Sequence, residues 1–306
     1  MRIHVLGSAA GGGFPQWNCG CVNCKGVRAG TVAATARTHT SLAISSAGGS
    51  WFLVHASPDV RTQLRAFPPL HPRAPRDSPI AGILLTNGDL DQCLGLLSLR
   101  ESQPLHLYAT ETVRRTFTED NRLYRALNRM PGQITWHELK LGASHPLLGE
   151  EDRLGALVVT AVSVPGKVPL YAEGQVHSEA GENIALLIRD REEGPIVAYA
   201  PCVGGMTAAV ERILDEADCL FFDGTFWSEG ELTALGAGSK TAYDMAHWPL
   251  KGSSGSLSVL AKARASRRIL IHINNTNPIL REDSLERRET ERAGVEVAYD
   301  GMEVTL

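Results

Sequence analysis

The sequence predicts a mixed α/β chain in which sheets are covered by helices. Three observations carry this. Short runs rich in Val, Ile and Leu recur along the chain, with Gly or Pro near many of them. Helical stretches alternate with these runs, most regularly in the later part. The run Ile80-Ala81-Gly82-Ile83-Leu84-Leu85 is apolar on both faces apart from its glycine, the pattern of a central strand in a sheet covered on both sides.

Taken in order, strands are expected over residues 3–6, 41–45, 51–54, 80–86, 105–109, 157–164, 185–188, 196–200, 219–223 and 269–273. Ser46-Ala47-Gly48-Gly49 supplies a hairpin turn between the second and third. Helices are expected over 59–66, 90–101, 111–127, 207–217 and 256–265. The first of these follows Ser57-Pro58, a cap-and-proline start. The stretch 68–79 holds five prolines and reads as an extended surface loop. Neither an internal repeat nor an interdomain linker is evident, so 1–306 is expected to form one domain.

The 306 residues are 43% hydrophobic and carry a formal net charge of -4. Such a balance offers no single-signed field for nucleic acid or an anionic membrane, and points to a small-molecule or peptide partner. No apolar run approaches the roughly 18 residues of a membrane span. The N-terminus lacks the apolar stretch of a signal peptide, so a cytoplasmic location is expected.

Three of the six cysteines fall within six residues, in Asn18-Cys19-Gly20-Cys21-Val22-Asn23-Cys24. A CxCxxC turn can aim three thiolates at one point, and Zn²⁺ suits a thiolate-rich tetrahedral site. Cys19, Cys21 and Cys24 are therefore candidate ligands of a structural zinc ion. An iron–sulfur cluster would need a fourth nearby cysteine. Cys93 and Cys219, set among leucines or phenylalanines, read as buried filler.

The second polar constellation is Asn87-Gly88-Asp89-Leu90-Asp91-Gln92, between the central strand and an apolar helix. Sites collect at the carboxyl ends of strands in α/β sheets. On these residues alone, a helix cap and a metal site explain Asp89 and Asp91 equally well. His272, closing a strand before Asn274-Asn275-Thr276-Asn277-Pro278, tips the balance toward a metal.

That loop resembles the His-x-His-x-Asp-His motif of the metallo-β-lactamase superfamily, with only Asp91 kept. Val164-Pro165-Gly166-Lys167 resembles its Pro-Gly-His turn with lysine in the histidine place. Tyr199-Ala200-Pro201-Cys202 stands at its Gly-Asp step without the bridging aspartate, and His272 stands at its last histidine. Longer blocks resemble the PqqB family of pyrroloquinoline quinone (PQQ) biosynthesis. They are residues 7–19, Ala56-Ser57-Pro58-Asp59, Gly95-Leu96-Leu97-Ser98-Leu99-Arg100-Glu101 and residues 271–278. The resemblance runs from end to end. It implies a four-layer αββα fold and a role in making the quinone cofactor.

It also implies ligands. The positions of the superfamily's first metal are Asn87, Asp89 and Lys167, and a charged lysine repels a cation, so that site is expected to be lost. The second metal would rest on Asp91, Gln92 and His272, with Asp89 and His247 as further candidates. Relatives usually have histidine at the Gln92 position, which would give the two-histidine, one-carboxylate set of non-haem Fe(II) oxygenases. Asp223 is a candidate supporting carboxylate. A related branch of cyclic-phosphate phosphodiesterases completes its cysteine site with a histidine where this chain has Asn275, so Asn275 or water is expected as the fourth zinc ligand.

The function implied is hydroxylation of the tyrosine ring in a Glu-Tyr intermediate cut from the peptide PqqA, using Fe²⁺ and O₂. Asp89, Asn87 and Lys167 would position substrate or move protons, and Asp223 would assist. Two alternatives stand beside it: a carrier moving PQQ or its precursor toward the periplasm, and a metal-dependent hydrolase. A homodimer is left open.

Overall fold

The computed structural model describes residues 1–101, 103–128, 132–149, 153–174, 179–191 and 193–306. Two seven-stranded sheets dominate it. The first comprises β1 (Arg2–Gly7), β2 (Ser41–Ser45), β3 (Trp51–Val54), β4 (Ile80–Leu84), β5 (Leu105–Ala109), β6 (Ile134–Glu138) and β14 (Glu303–Thr305), in the order β14-β1-β2-β3-β4-β5-β6. The second comprises β7 (Ser144–Leu148), β8 (Leu154–Ser163), β9 (Ile184–Asp190), β10 (Ile196–Ala200), β11 (Cys219–Asp223), β12 (Arg267–Ile271) and β13 (Glu296–Val297), in the order β13-β12-β11-β10-β9-β8-β7. Strands β3 to β6 run parallel in one sheet and β10 to β13 in the other.

Alternation along each strand explains the layering. Phe52, Val54 and Leu84 meet Val197, Tyr199, Phe221 and Ile271 in a core between the sheets. Their neighbours Leu53 and Ile83, or Leu220, Phe222 and Leu270, point the other way. Helices cover those outer faces. Val60 of α2 (Val60–Ala66) and Val113 of α4 (Glu111–Arg115) pack on the first sheet. Val210 and Ile213 of α5 (Ala208–Glu216), with Leu257 and Leu260 of α7 (Ser256–Leu260), pack on the second. The layers are thus αββα, and these strands are apolar on both faces because both faces are covered.

Every expected strand is present, and Ser46–Gly49 turns the β2–β3 hairpin. Three expected helices are shorter, the one expected over 256–265 ending at Leu260. Residues 90–101 form α3 (Leu90–Cys93) and then a 3₁₀ segment, Leu94–Leu99. At Gly95 a side chain would lie 2.0 Å from the Ser57 carbonyl, and Gly95 N–H donates to Ala56 O. That close approach draws the backbone off the α ladder. Residues 111–127 are α only to Arg115, followed by a π turn and a 3₁₀ segment. There Thr116 and Thr118 hydroxyls donate to carbonyls four residues back, a local competition that bends helices. The helices α1 (Val22–Ala29), α6 (Glu231–Ala234) and α8 (Leu285–Arg292) were not anticipated.

Among the described residues no helix is long and apolar enough to cross a membrane. Phe221, fully buried between the sheets, is a test of the shared core. Phe221→Ala is expected to destabilise by about 3–5 kcal/mol in urea unfolding. A loss below about 1 kcal/mol would mean that the sheets do not share a packed interior.

Candidate active site at the seam of the two sheets

The candidate residues gather at the carboxyl ends of β4, β10, β11 and β12, where parallel strands of both sheets end side by side. Asp89 occupies the N-cap position of α3, yet its side chain makes no capping hydrogen bond. Its carboxylate lines a cavity of ≈ 160 Å³ together with Asp91, Lys167, Cys202, His247 and His272. The cap reading therefore fails for Asp89. His272 Nε2 lies 3.2 Å from Asp91 Oδ2, joining the two sheets. Through Gly11, Met245 and Asn274 the cavity adjoins a larger one of ≈ 620 Å³ that runs toward Cys19 and Cys21.

The hydrogen bonds around the two histidines dictate their tautomers. Asp223 accepts from Val203 N–H at 2.8 Å and from Thr225 N–H at 2.9 Å. Burial alone would raise its pKa, but the His247 charge and hydrogen bond outweigh this and hold it low. An ionised Asp223 only accepts, so His247 Nδ1–H must donate to it at 2.7 Å. Thr225 spends its one hydroxyl proton on the His272 carbonyl at 2.8 Å, so His272 Nδ1–H donates to Thr225 Oγ1, also at 2.8 Å. With Nδ1 engaged in this way, each ring turns Nε2 to the cavity as the nitrogen left to hold a proton or a metal cation. At His272 that nitrogen faces a carboxylate, an arrangement satisfied only by a proton or a metal cation. This is the support expected around metal-binding histidines.

The two carboxylates are pushed apart. Burial raises Asp89 to about 7, with the Asp91 charge adding to the rise and Lys167 opposing it. Asp91 is also raised by burial, but the His272 hydrogen bond and charge win and leave it low. Such a split gives one carboxyl that holds a proton near neutrality and one that stays ionised.

Three sequence expectations need correction. Gln92 does not line the cavity: its Oε1 accepts from Thr86 at 3.0 Å and its NH₂ donates to Cys202 Sγ at 3.1 Å, so neither end is available to a metal. Asn87 is buried behind the wall, donating to Asn183 at 3.2 Å and accepting from Asp89 N–H at 3.0 Å, so it shapes the loop instead of meeting substrate. Asp223 is wholly buried with its oxygens engaged, so it positions His247 and is not catalytic. Lys167 does line the cavity, with its ammonium 3.9 Å from Glu173.

Two residues escaped the sequence reading. Cys202 was noted only for the aspartate it replaces, yet its Sγ and ring nitrogens of His247 and His272 lie within 4.8 Å of one another. His55 is fully buried at the end of β3, with burial pushing it down to about 3. His55 and His272 both have positive φ, 71° and 58°, uncommon for non-glycine residues and typical of functional sites. A histidine directly after a strand was the available signal at His55.

Cys19, Cys21 and Cys24 converge within 4.8 Å. Cys21 caps α1, its sulfur accepting from Cys24 N–H. Cys21 N–H points at Cys19 and Gln16 N–H at Cys24, an array that supports thiolate charge. Burial raises Cys19, but the Cys21 N–H and side-chain hydrogen bonds with Cys21, Cys24 and Asn275 outweigh it and lower its pKa; Cys21 is raised by burial to about 11. Asn275 lies against the cluster with its NH₂ 3.3 Å from Cys24 Sγ. In that orientation it is a donor to sulfur and not a fourth ligand. Cys219 is buried filler as expected, whereas the Cys93 thiol also bonds to Asp89 O at 2.9 Å and Tyr124 at 3.1 Å.

Glu231 anchors the loop after His272, accepting from Thr276 Oγ1 at 2.5 Å and Trp227 N–H at 2.7 Å. Burial raises it to about 7 from an ordinary 4.5. Below 4.5 folded and unfolded chains both hold this proton; between 4.5 and about 7 only the folded chain does. Its contribution to stability is therefore complete at the acid end and lost as pH rises through that window. In urea titrations at about pH 5 and about pH 7, Glu231→Gln should show a smaller fall in stability than the parent chain. An unchanged slope would locate the titrating group elsewhere.

Comparison with known proteins agrees with this architecture. The family model described as a beta-lactamase superfamily domain matches residues 50–273. The coenzyme PQQ synthesis protein B of Pseudomonas putida strain GB-1 is 44% identical over 307 residues, covering all of both chains. The protein of the same name from Methylobacillus flagellatus is 44% identical over 308 residues, again with full coverage. A crystal structure of Zn²⁺-bound PqqB from Methylobacterium extorquens aligns with a TM-score of 0.91 at 40% identity over the whole of both chains. A diphosphatase of the PhnP family, at a TM-score of 0.67 and 20% identity, shares the fold. With a metallo-β-lactamase fold and such relatives along its full length, this chain belongs to the coenzyme PQQ synthesis protein B family of the beta-lactamase superfamily.

Proposed function

We propose that the chain acts in PQQ biosynthesis as an oxygen-dependent hydroxylase of the tyrosine ring in a Glu-Tyr-type intermediate. Residues 1–306 would form one working domain, in keeping with the core shared by both sheets. The observation that carries the reading is the convergence of Asp91, His247 and His272 on one cavity, each imidazole with its far nitrogen tied back. Two imidazole nitrogens and a carboxylate oxygen suit a ferrous ion. When bound, Fe²⁺ supplies the activation of O₂ that ring hydroxylation requires.

The chain's own residues supply the rest. Lys167 is the cation available to an anionic carboxylate of the substrate. Asp89, set apart in acidity from Asp91, can hold or release a proton beside the ring. The adjoining larger cavity gives room for the remainder of a dipeptide. The hydrolase reading is weaker, because the positions of a first metal are a buried, engaged Asn87 and the cationic Lys167. Cys19, Cys21 and Cys24 would hold a structural Zn²⁺.

The test is anaerobic Fe²⁺ loading, then air, Glu-Tyr dipeptide and ascorbate as the two-electron reductant that single-oxygen insertion needs (the other oxygen atom leaving as water), with O₂ uptake and product mass recorded. A product heavier by one or two oxygens is expected, reduced at least about 100-fold in Asp91→Ala and His272→Ala. Dipeptide binding without conversion would overturn the hydroxylase and favour a carrier. For the cysteine cluster, Cys24→Ser should lose one zinc per chain by elemental analysis and unfold at lower temperature. Unchanged zinc content would remove the cluster from the metal sites.

A further inference from the structure

We infer that Cys202 is itself a metal ligand, its thiolate standing in for the donor that Gln92 withdraws. The inference rests on the metal-binding part of the proposed function and is independent of its oxygen chemistry.

Three observations carry it. Cys202 Sγ and ring nitrogens of His247 and His272 already lie within 4.8 Å of one another, at the edge of the cavity that Asp91 lines. The next residue, Val203, donates its N–H to Asp223, the carboxylate that also aims His247, so sulfur and imidazole are fixed by one anchor. Lastly, a buried hydrogen-bond chain runs to the sulfur. Tyr199 and Thr86 flank His55 at 3.3 and 2.8 Å, Thr86 donates to Gln92 Oε1, and Gln92 donates to Cys202 Sγ. With Thr86 donating onward, His55 Nε2–H donates to Thr86. From His55 onward the donors point toward Cys202; burial and the Asp223, Asp89 and Asp91 charges raise the free thiol, and the Gln92 hydrogen bond acts against them, in the direction that stabilises an anionic sulfur.

The resulting donor set is one sulfur, two imidazole nitrogens and the Asp91 oxygen. It favours Zn²⁺, Fe²⁺ or Co²⁺ over the harder Mg²⁺ and Mn²⁺. As the metal–sulfur bond forms, the thiol proton leaves to solvent. Gln92 thus changes from an expected ligand to a positioning residue that acts through Cys202.

Co²⁺ reports thiolate ligation directly, through a sulfur-to-cobalt charge-transfer band in the near ultraviolet. Metal-free protein and Cys202→Ser would each be loaded with two equivalents of Co²⁺. The Cys19–Cys21–Cys24 contribution is common to both and cancels in the difference. The parent protein should show additional charge-transfer intensity, and the variant should bind its second Co²⁺ at least about 100-fold more weakly, since even outer partners of a metal site contribute about 10–100-fold. Gln92→His in the Cys202→Ser background should restore affinity without restoring the band, which also guards against a merely misfolded single variant. Identical spectra and affinities in parent and Cys202→Ser would overturn the inference. A band without hydroxylation would leave Cys202 in place and remove the hydroxylase; hydroxylation undiminished in Cys202→Ser, with no difference band, would do the reverse.

Discussion

The contact on which the site depends is the one between Asp91 and His272. Asp91 lies in the first turn of α3, which follows β4 of the first sheet, and His272 directly follows β12 in the second. Their side chains can meet only because both sheets bury their inner faces in one core and end their parallel strands at the same edge. The pairing then imposes demands on its surroundings. Thr225 takes up His272 Nδ1, so the nitrogen facing Asp91 is left to hold a proton or a metal cation. A ring nitrogen held 3.2 Å from a carboxylate leaves a place for a proton or a metal cation between them, and the left-handed backbone at His272 keeps the ring there.

Much of the fold was legible because covered strands are conspicuous. The ten anticipated strands carry the apolar runs that pack on both faces. The four that escaped, β6, β7, β13 and β14, are the edges of the two sheets. An edge strand has one neighbour and more exposed positions, so its sequence is short or polar: Ile134-Thr135-Trp136-His137-Glu138 and Ser144-His145-Pro146-Leu147-Leu148 have little of the apolar pattern. The helix α8 was hidden for a related reason, since its eight residues bury only Thr290.

The site was legible residue by residue but not as a network. Asp89, Asp91, Lys167, His247 and His272 could be picked out by type and by position after strands, and the fold brings them to one cavity. What sequence spacing cannot show is which end of a side chain is already engaged. Gln92 has a ligating oxygen, yet Thr86 occupies it. Asn87 and Asp223 are polar, yet their polar atoms are already taken by protein partners. Cys202 was discounted because a bridging carboxylate is absent at its position, although sulfur is itself a metal donor.

Gln92 and Cys202 therefore have to be read together. They come from different sheets and are in direct contact, with the amide of one turned toward the sulfur of the other. Judged singly, each departs from its family's pattern and weakens the case for a metal centre. Judged as a pair, they exchange roles: the residue beside Asp91 gives up its place, and a thiol across the seam approaches the two histidines. Because His55, Thr86 and Tyr199 join them in one buried chain of hydrogen bonds, the exchange reaches well beyond the cavity wall. Buried polar groups must find partners, so a change of ligand here is bound to a change in the network behind it, and the electron-rich sulfur it introduces shifts the site toward softer ions.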